Sequence, residues 1–353
     1  MRRLARTCCK NSYVGCFIGV LLLGGTVLAN INTLVEKSVE RKVYLMGTQA
    51  TLMTLTTNRD AGLRSLDRML KILEATEREL STWDDNSLLT DLNQCPIGQA
   101  WHAPRNICDL FEELFKWHWA TDGAFDPAVG PLIRVWGIRA NGKWPTKESL
   151  AVARAHTGLQ HFLFHSEACT LTRLLETSID AGAFGKGEAL DRVLDQEGQQ
   201  AVGPWMIDLG GQIIVSGVPA QGNWPVLVAH PEKRTKSVFE LSLTEGSIAV
   251  SGYSERDRLV EGKRISHILD PRTGRPVSKN SSVVVWHPSA LVADVLATAL
   301  HVMGVDQGLS WAESQGLAAC FILPASGSSK LYNVTLYPTA TFLARFQSVK
   351  ALL

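Results

Sequence analysis

What the 353-residue sequence lacks narrows the field first. It has no excess of either charge: 35 Lys and Arg stand against 34 Asp and Glu, a formal net charge of +1. A nucleic-acid partner normally leaves a basic excess or a basic stripe, and the chain has neither. No fixed-period repeat occurs, which removes repeat architectures, and there is no low-complexity tract. None of the seven cysteines belongs to a C-x-x-C pair, so a zinc knuckle or thioredoxin-like site is unsupported. G-x-S-x-G, H-E-x-x-H and G-x-G-x-x-G are all missing in their required contexts. The even βαβ cadence of a Rossmann domain is missing too. What remains is an ordinary globular composition, 45% hydrophobic and 20% charged. The length suits one large domain or two small ones with a substantial core.

The N-terminus does not read as fold. Arg2, Arg3, Arg6 and Lys10 precede an apolar run from Val14 to Leu23, which continues to Ala29. Val27-Leu28-Ala29 offers small or modest residues where a signal peptidase cuts. An uncleaved anchor is the alternative, since Tyr13–Ala29 is near the short limit for spanning a bilayer. Residues 1–29 are therefore expected to be a signal peptide or membrane anchor, with 30–353 the working domain. Gly15-Cys16 precedes the apolar run instead of following it, so no lipobox is present. Cys8, Cys9 and Cys16 fall in this segment. Cys95, Cys108, Cys169 and Cys320 remain, and in an oxidising compartment some could pair.

Beyond it, residues 42–56 read as a strand around Met46-Gly47-Thr48. Leu63, Leu66, Met69, Leu70, Ile72 and Leu73 recur at helical spacing over 63–80, and 107–121 repeats the pattern. Segment 181–187 is rich in glycine and opens a helix through Leu194. Residues 205–215 read as two short strands around Gly210-Gly211; 224–229, 238–243 and 282–286 are further strands, and 290–303 is a strongly apolar helix. The expectation is a single α+β domain. His161 and His165 flank Phe162-Leu163-Phe164, a strand pattern that would hold the two rings about 13 Å apart, too far for one zinc ion.

Five segments carry chemistry. In the apolar helix, Asp294 and Thr298 are four apart and share one face. A buried carboxylate is costly unless paired, hydrogen-bonded or metal-bound, and two oxygen donors at this spacing suit a hard cation such as Mg²⁺. An Asp that caps a neighbouring loop is the competing reading. Asp180-Ala181-Gly182-Ala183-Phe184-Gly185-Lys186-Gly187 puts close-approach backbone before a helix, where amides can meet a phosphate that Lys186 could neutralise. The spacing is not that of a P-loop. His267 precedes the Asp270-Pro271-Arg272-Thr273-Gly274 turn and could serve as a general base, or be a half-buried strand histidine. Gly123-Ala124-Phe125-Asp126-Pro127 continues to Gly130-Pro131 as a fixed loop in which Asp126 could accept from a ring N–H. Trp83, in Leu80-Ser81-Thr82-Trp83-Asp84, could stack on an aromatic ring or fill the core.

Taken in order, these segments resemble the ApbE family of FAD:protein FMN transferases. The matching runs are Met46-Gly47-Thr48, Leu80 to Trp83, Gly123 to Asp126 with Val129-Gly130-Pro131, Asp180 with Gly182 and Gly185 to Gly187, Ile207 to Gly211, Ser266 to Gly274, and Ala293-Asp294 with Thr298-Ala299. They span about residues 43 to 340. The resemblance implies a single α+β, T-fold-like domain with mixed or antiparallel sheets and flanking helices. It implies that Met46 and Trp83 flank a flavin ring, that Ala124, Phe125 and Asp126 contact it, and that Asp180, Lys186 and Ile268 line the rest of an FAD site. Asp294, Thr298 and a backbone carbonyl near Ala183 would hold Mg²⁺, and His267 would be the base. FAD is then the substrate, and the partner is an acceptor protein with a Thr or Ser flavinylation motif, a membrane or exported redox subunit. The implied location is the periplasm or the periplasmic face of the inner membrane. Trp83 stands where tyrosine is commoner, so stacking survives and a hydroxyl is lost. Ala183-Phe184-Gly185 replaces the usual Gly-Ile-Ala. Two other functions fit the same residues: hydrolysis of FAD to FMN and AMP, and non-catalytic flavin binding by a maturation factor. Asp294, Thr298, Lys186 and His267 together argue against a pure binder.

Overall fold

Side chains alternate across a strand, so a fully apolar strand must be covered on both faces. Ser282–His287 shows the rule: Val283 and Val285 pack into one core cluster and Val284 into another. The fold is built around that division. A computed structural model describes residues 36–353 except 221, 234, 253–256, 278–279, 326–333, 348–349 and 352–353. The signal or anchor expected over 1–29 lies outside the described residues. Glu36–Leu353 form one compact unit.

In chain order the elements are strands β1 (Lys37–Leu45) and β2 (Thr48–Thr56), helices α1 (Arg59–Leu80) and α2 (Leu88–Gln94), strand β3 (Ala100–His102), and helices α3 (Arg105–Ala120), α4 (Gly130–Trp136) and α5 (Lys147–Ala155). Strands β4 (Phe162–His165) and β5 (Thr170–Arg173) lead to helix α6 (Gly185–Glu197). Then come strands β6 (Trp205–Leu209), β7 (Gln212–Ser216), β8 (Trp224–Ala229), β9 (Ser237–Leu243), β10 (Gly246–Gly252), β11 (Arg258–Val260), β12 (Lys263–Ile265), β13 (Leu269–Asp270), β14 (Arg275–Pro276) and β15 (Ser282–His287). Helix α7 (Ala290–Ser314), strands β16 (Ala318–Pro324) and β17 (Val334–Pro338), helix α8 (Ala340–Arg345) and strand β18 (Lys350–Ala351) complete the chain.

The main sheet has eight strands in the order β1-β2-β6-β7-β10-β15-β16-β17. All its pairings are antiparallel. Helices α1, α6 and α7 cover one face. The small sheet β8-β9-β18 and α8 cover the other, where Val226, Phe239 and Phe342 meet Val284, Cys320 and Ile322. This is the α+β class the sequence implies. Helix α1 buries Leu66, Met69, Leu73 and Leu80 at helical spacing and starts at Asn58, whose side chain accepts from Ala61 N at 3.0 Å.

Three local expectations are revised. Residues 42–56 are a hairpin, not one strand: Met46 at φ 50° and Gly47 at φ 69° form a two-residue turn of the kind that matches strand twist. His161 ends a short 3₁₀ turn, Leu159–His161, and only His165 lies in the strand. Among the described residues no group of three or more His, Cys, Asp or Glu is placed to hold a metal. The apolar helix runs past Met303, but Gly304 at φ 79° breaks it where the sequence reading ends. Helix α7 has the length and composition to cross a membrane, yet 78% of that stretch is buried inside the fold, as a core helix is.

Candidate active site

The start of α6 lies against the start of α7, and this contact makes the first half of the site. A Cβ added at Gly187 would lie 2.5 Å from Ala290 O and 2.6 Å from Leu291 Cα, so the helices meet backbone to backbone. Asp191, on α6, accepts from Ser289 Oγ at 2.5 Å, Ala290 N at 2.6 Å and Leu291 N at 2.9 Å, satisfying amides that a helix start leaves open. Burial pushes its carboxyl above the ordinary range, and those hydrogen bonds only partly oppose it.

Across this contact Lys186 Nζ reaches Asp294 Oδ1 at 2.9 Å and Oδ2 at 3.0 Å. Gly187 N donates to Asp294 Oδ2 at 3.2 Å. The Asp294 carboxylate is 6% exposed, so this ammonium is what makes its charge tolerable. Gln212, just after the Gly210-Gly211 turn, accepts from Lys186 at 3.3 Å and donates to Ala290 O at 2.7 Å. One turn beyond Asp294, Thr298 Oγ1 lies 3.2 Å from Ser251 Oγ on β10. The 3₁₀ turn Ala181–Ala183 packs on α7, which brings Ala183 to the same helix. Asp294 and Thr298 thus lie one turn apart on α7 beside the 181–183 turn, with Ser251 and Gln212 next to them.

The second half gathers around Arg139, two residues past Trp136-Gly137. Its guanidinium pairs with Asp180 and with Thr82 Oγ1, donates to Thr82 O at 3.2 Å, and lies 4.9 Å from the Trp83 ring centre. Burial pulls its pKa below the ordinary value. Trp83 is 73% exposed, so it is not core: one face carries Arg139 and the rest is open. Asp180 Oδ1 accepts from Gly182 N at 2.8 Å and shapes the glycine turn. Asn93 clamps the preceding residue, accepting from Ile179 N at 2.7 Å and donating to Ile179 O at 2.9 Å. Met46 N donates to Glu77 at 2.6 Å, and its Cε would lie 3.5 Å from a Cβ at Gly185. Met46 thus sits at the mouth of the glycine turn.

The 124–126 loop stands differently. Ala124 and Phe125 are fully buried. Asp126 accepts from Ala128 N at 2.8 Å and Leu159 N at 3.2 Å and lies 3.2 Å from His118 Nδ1. The side chains of this run therefore serve the loop itself, which in turn holds Asp180 N on Pro127 O at 2.8 Å. They support the glycine turn from beneath. Ile268 packs into the same core cluster as Ala124, Phe125 and Phe184, and it carries His267 beside that cluster. His267 Nδ1 and Asp257 Oδ1 are 2.7 Å apart, and the same oxygen accepts His267 N at 2.9 Å. Burial disfavours the Asp257 charge, but the His267 hydrogen bonds and the Arg264 cation outweigh it and hold the carboxyl below its ordinary range.

The donors around α7 fit a hard divalent cation. Asp294 is a buried carboxylate already matched to a positive charge, and Thr298 is a hydroxyl one turn on. Hard oxygen donors, a lysine at a glycine-rich helix start and an open aromatic face suit an enzyme that acts on an aromatic, phosphate-bearing molecule. The profile of the ApbE family matches residues 46–321, and the chain belongs to that family. It is similar to the FAD:protein FMN transferase of Vibrio cholerae, 32% identical over 273 residues, 74% of this chain and 80% of the relative. The Salmonella typhimurium FAD:protein FMN transferase is 30% identical over 276 residues, 76% of this chain and 79% of the relative. Among solved structures, the flavinyl transferase ApbE of Pseudomonas stutzeri in its apo form superposes with a TM-score of 0.77 at 26% identity, covering 89% of this chain and 98% of that one. The Thermotoga maritima ApbE protein gives 0.78 at 25% identity, covering 88% and 100%.

Arg139, Asp257, Ser251 and Gln212 were not singled out from sequence. Only Gln212 had a local signal, its place directly after Gly210-Gly211.

Proposed function

We propose that the chain transfers FMN from FAD to a threonine or serine hydroxyl of an exported or membrane redox protein, releasing AMP. The pairing of Lys186 with buried Asp294 beside a glycine-rich helix start carries this reading. Asp294, Thr298 and the carbonyl near Ala183 would hold Mg²⁺, with Lys186 adding a second positive charge for the phosphates. When bound, the cation neutralises pyrophosphate charge and makes AMP a better leaving group.

The open part of Trp83 receives the isoalloxazine ring, while Arg139 fixes the indole and Asp180. Met46 closes the ring site beside Gly185. Amides at the start of α6 meet the phosphates. His267 accepts the proton of the acceptor hydroxyl. That oxygen bonds to the FMN phosphorus, the phosphoanhydride bond breaks, and AMP leaves with the bonding pair. We further propose export to the periplasm or its membrane face. The bond between Cys108 and Cys169, which ties α3 to the β4–β5 turn, supports an oxidising compartment.

The test is to incubate the purified chain with FAD, Mg²⁺ and an exported flavoprotein subunit, and to weigh the acceptor by intact mass spectrometry. A metal-dependent gain of one FMN is expected. Free FMN and AMP beside an unmodified acceptor would replace transfer by hydrolysis, and bound, unconverted FAD would replace it by binding alone.

A further inference from the structure

The histidine assigned as base has a partner that the reaction, as described so far, does not use. We propose that Asp257 is the positioning residue of His267, holding the imidazole with its proton on Nδ1 so that Nε2 is the nitrogen that faces the acceptor hydroxyl. This inference rests on the reading of His267 as the base.

The geometry carries it. One oxygen of Asp257 accepts both the backbone N–H of His267 at 2.9 Å and its Nδ1 at 2.7 Å, so the carboxylate orients the residue at two points. The other oxygen lies 2.9 Å from Arg264 Nε on β12, which stops the carboxylate from turning away. The Asp257 side chain is 4% exposed, whereas that of His267 is 23% exposed. The dyad thus has a buried end and an end that solvent, or an incoming hydroxyl, can reach.

Chemistry then decides the tautomer. An ionised carboxylate can only accept, so Nδ1 must donate, and a neutral ring has its lone pair on Nε2. The low proton affinity of Asp257 keeps it ionised at neutral pH. When Nε2 takes a proton, the ring becomes a cation beside a carboxylate already in place, which stabilises it. A purely structural Asp257 would make the same contacts, tying β11 to the turn after β12, but its loss would move stability and not turnover.

The test has two readouts on the full chain. First, protein labelled with ¹⁵N-histidine, free of FAD, is studied by long-range ¹H–¹⁵N NMR at about pH 8, where an ordinary imidazole is neutral. The wild type should show His267 as the Nδ1–H tautomer, and Asp257→Asn should move it toward Nε2–H or a mixture. A wild-type Nε2–H tautomer overturns the proposal whatever any variant does. Second, FMN transfer is measured with Asp257→Asn, Asp257→Glu and His267→Ala, each checked by its thermal melt. Asp257→Asn should lower kcat at least about tenfold with KM for FAD unchanged, and Asp257→Glu should recover part of the loss. An inactive His267→Ala beside an Asp257→Asn variant with wild-type kcat and tautomer makes Asp257 structural and overturns the inference. A fully active His267→Ala instead overturns the base assignment, while the NMR result still reports on the dyad.

Discussion

Asp294 and Asp126 are both buried carboxylates in apolar surroundings, and both read from sequence as ligand-binding. Asp126 gives its oxygens to two backbone amides of neighbouring loops, beside His118. Asp294 takes one backbone amide and is otherwise matched to the ammonium of a flexible lysine. A carboxylate saturated by backbone holds a shape; one matched to a side-chain cation can exchange that cation for another. Burial alone does not separate the two carboxylates, and the identity of the partner does.

The largest effect is expected at Asp294. Asp294→Asn should slow FMN transfer about a thousandfold, about 4 kcal/mol on the barrier, with far-UV circular dichroism unchanged. Transfer at the wild-type rate would break the comparison from one side. Asp126→Ala should cost about 3 kcal/mol of stability in urea unfolding, because two buried amides lose their acceptor. Loss of FAD affinity at unchanged stability would break it from the other side. Trp83→Ala should weaken FAD binding by about 1–3 kcal/mol, the worth of a stacked ring, and leave the melting temperature in place. Binding titrations that show no change would remove Trp83 from the site. The smallest effect is in acid. The Asp257 carboxyl sits below its ordinary range in the folded state, so its contribution is present above that range and lost as pH falls through it. Wild-type stability should therefore fall more steeply on acidification than that of Asp257→Asn, and parallel curves would sharpen the view of which charges matter.

What was legible follows the range of the interaction. Asp294 and Thr298 are one helical turn apart, so their shared face could be read directly. Strands and helices with clean periodicity, such as α1 and β15, appear where the pattern places them. The Met46-Gly47 turn reads as strand in the sequence because apolar alternation does not register a positive φ. The pairing of Lys186 with Asp294 joins residues 108 apart, and that of Arg139 with Asp180 joins residues 41 apart. Neither leaves a local pattern. Asp257 is 10 residues from His267, in a charged stretch that resembles any solvated hairpin. The buried state of Ala124 and Phe125 is likewise a tertiary fact, set by α3, Ile179 and α7 joining them in one core cluster.

Gly187 offers no side chain to the site, yet it sets how near Lys186 comes to Asp294. Its missing Cβ is the space taken by Ala290 O and Leu291 Cα, 2.5 and 2.6 Å from where that carbon would sit. Any side chain there would wedge α6 from α7 and separate the lysine from its carboxylate. In a library randomised at position 187 and sorted only for activity, glycine should be the sole survivor, so the position would score as essential as a ligand while contributing no side chain.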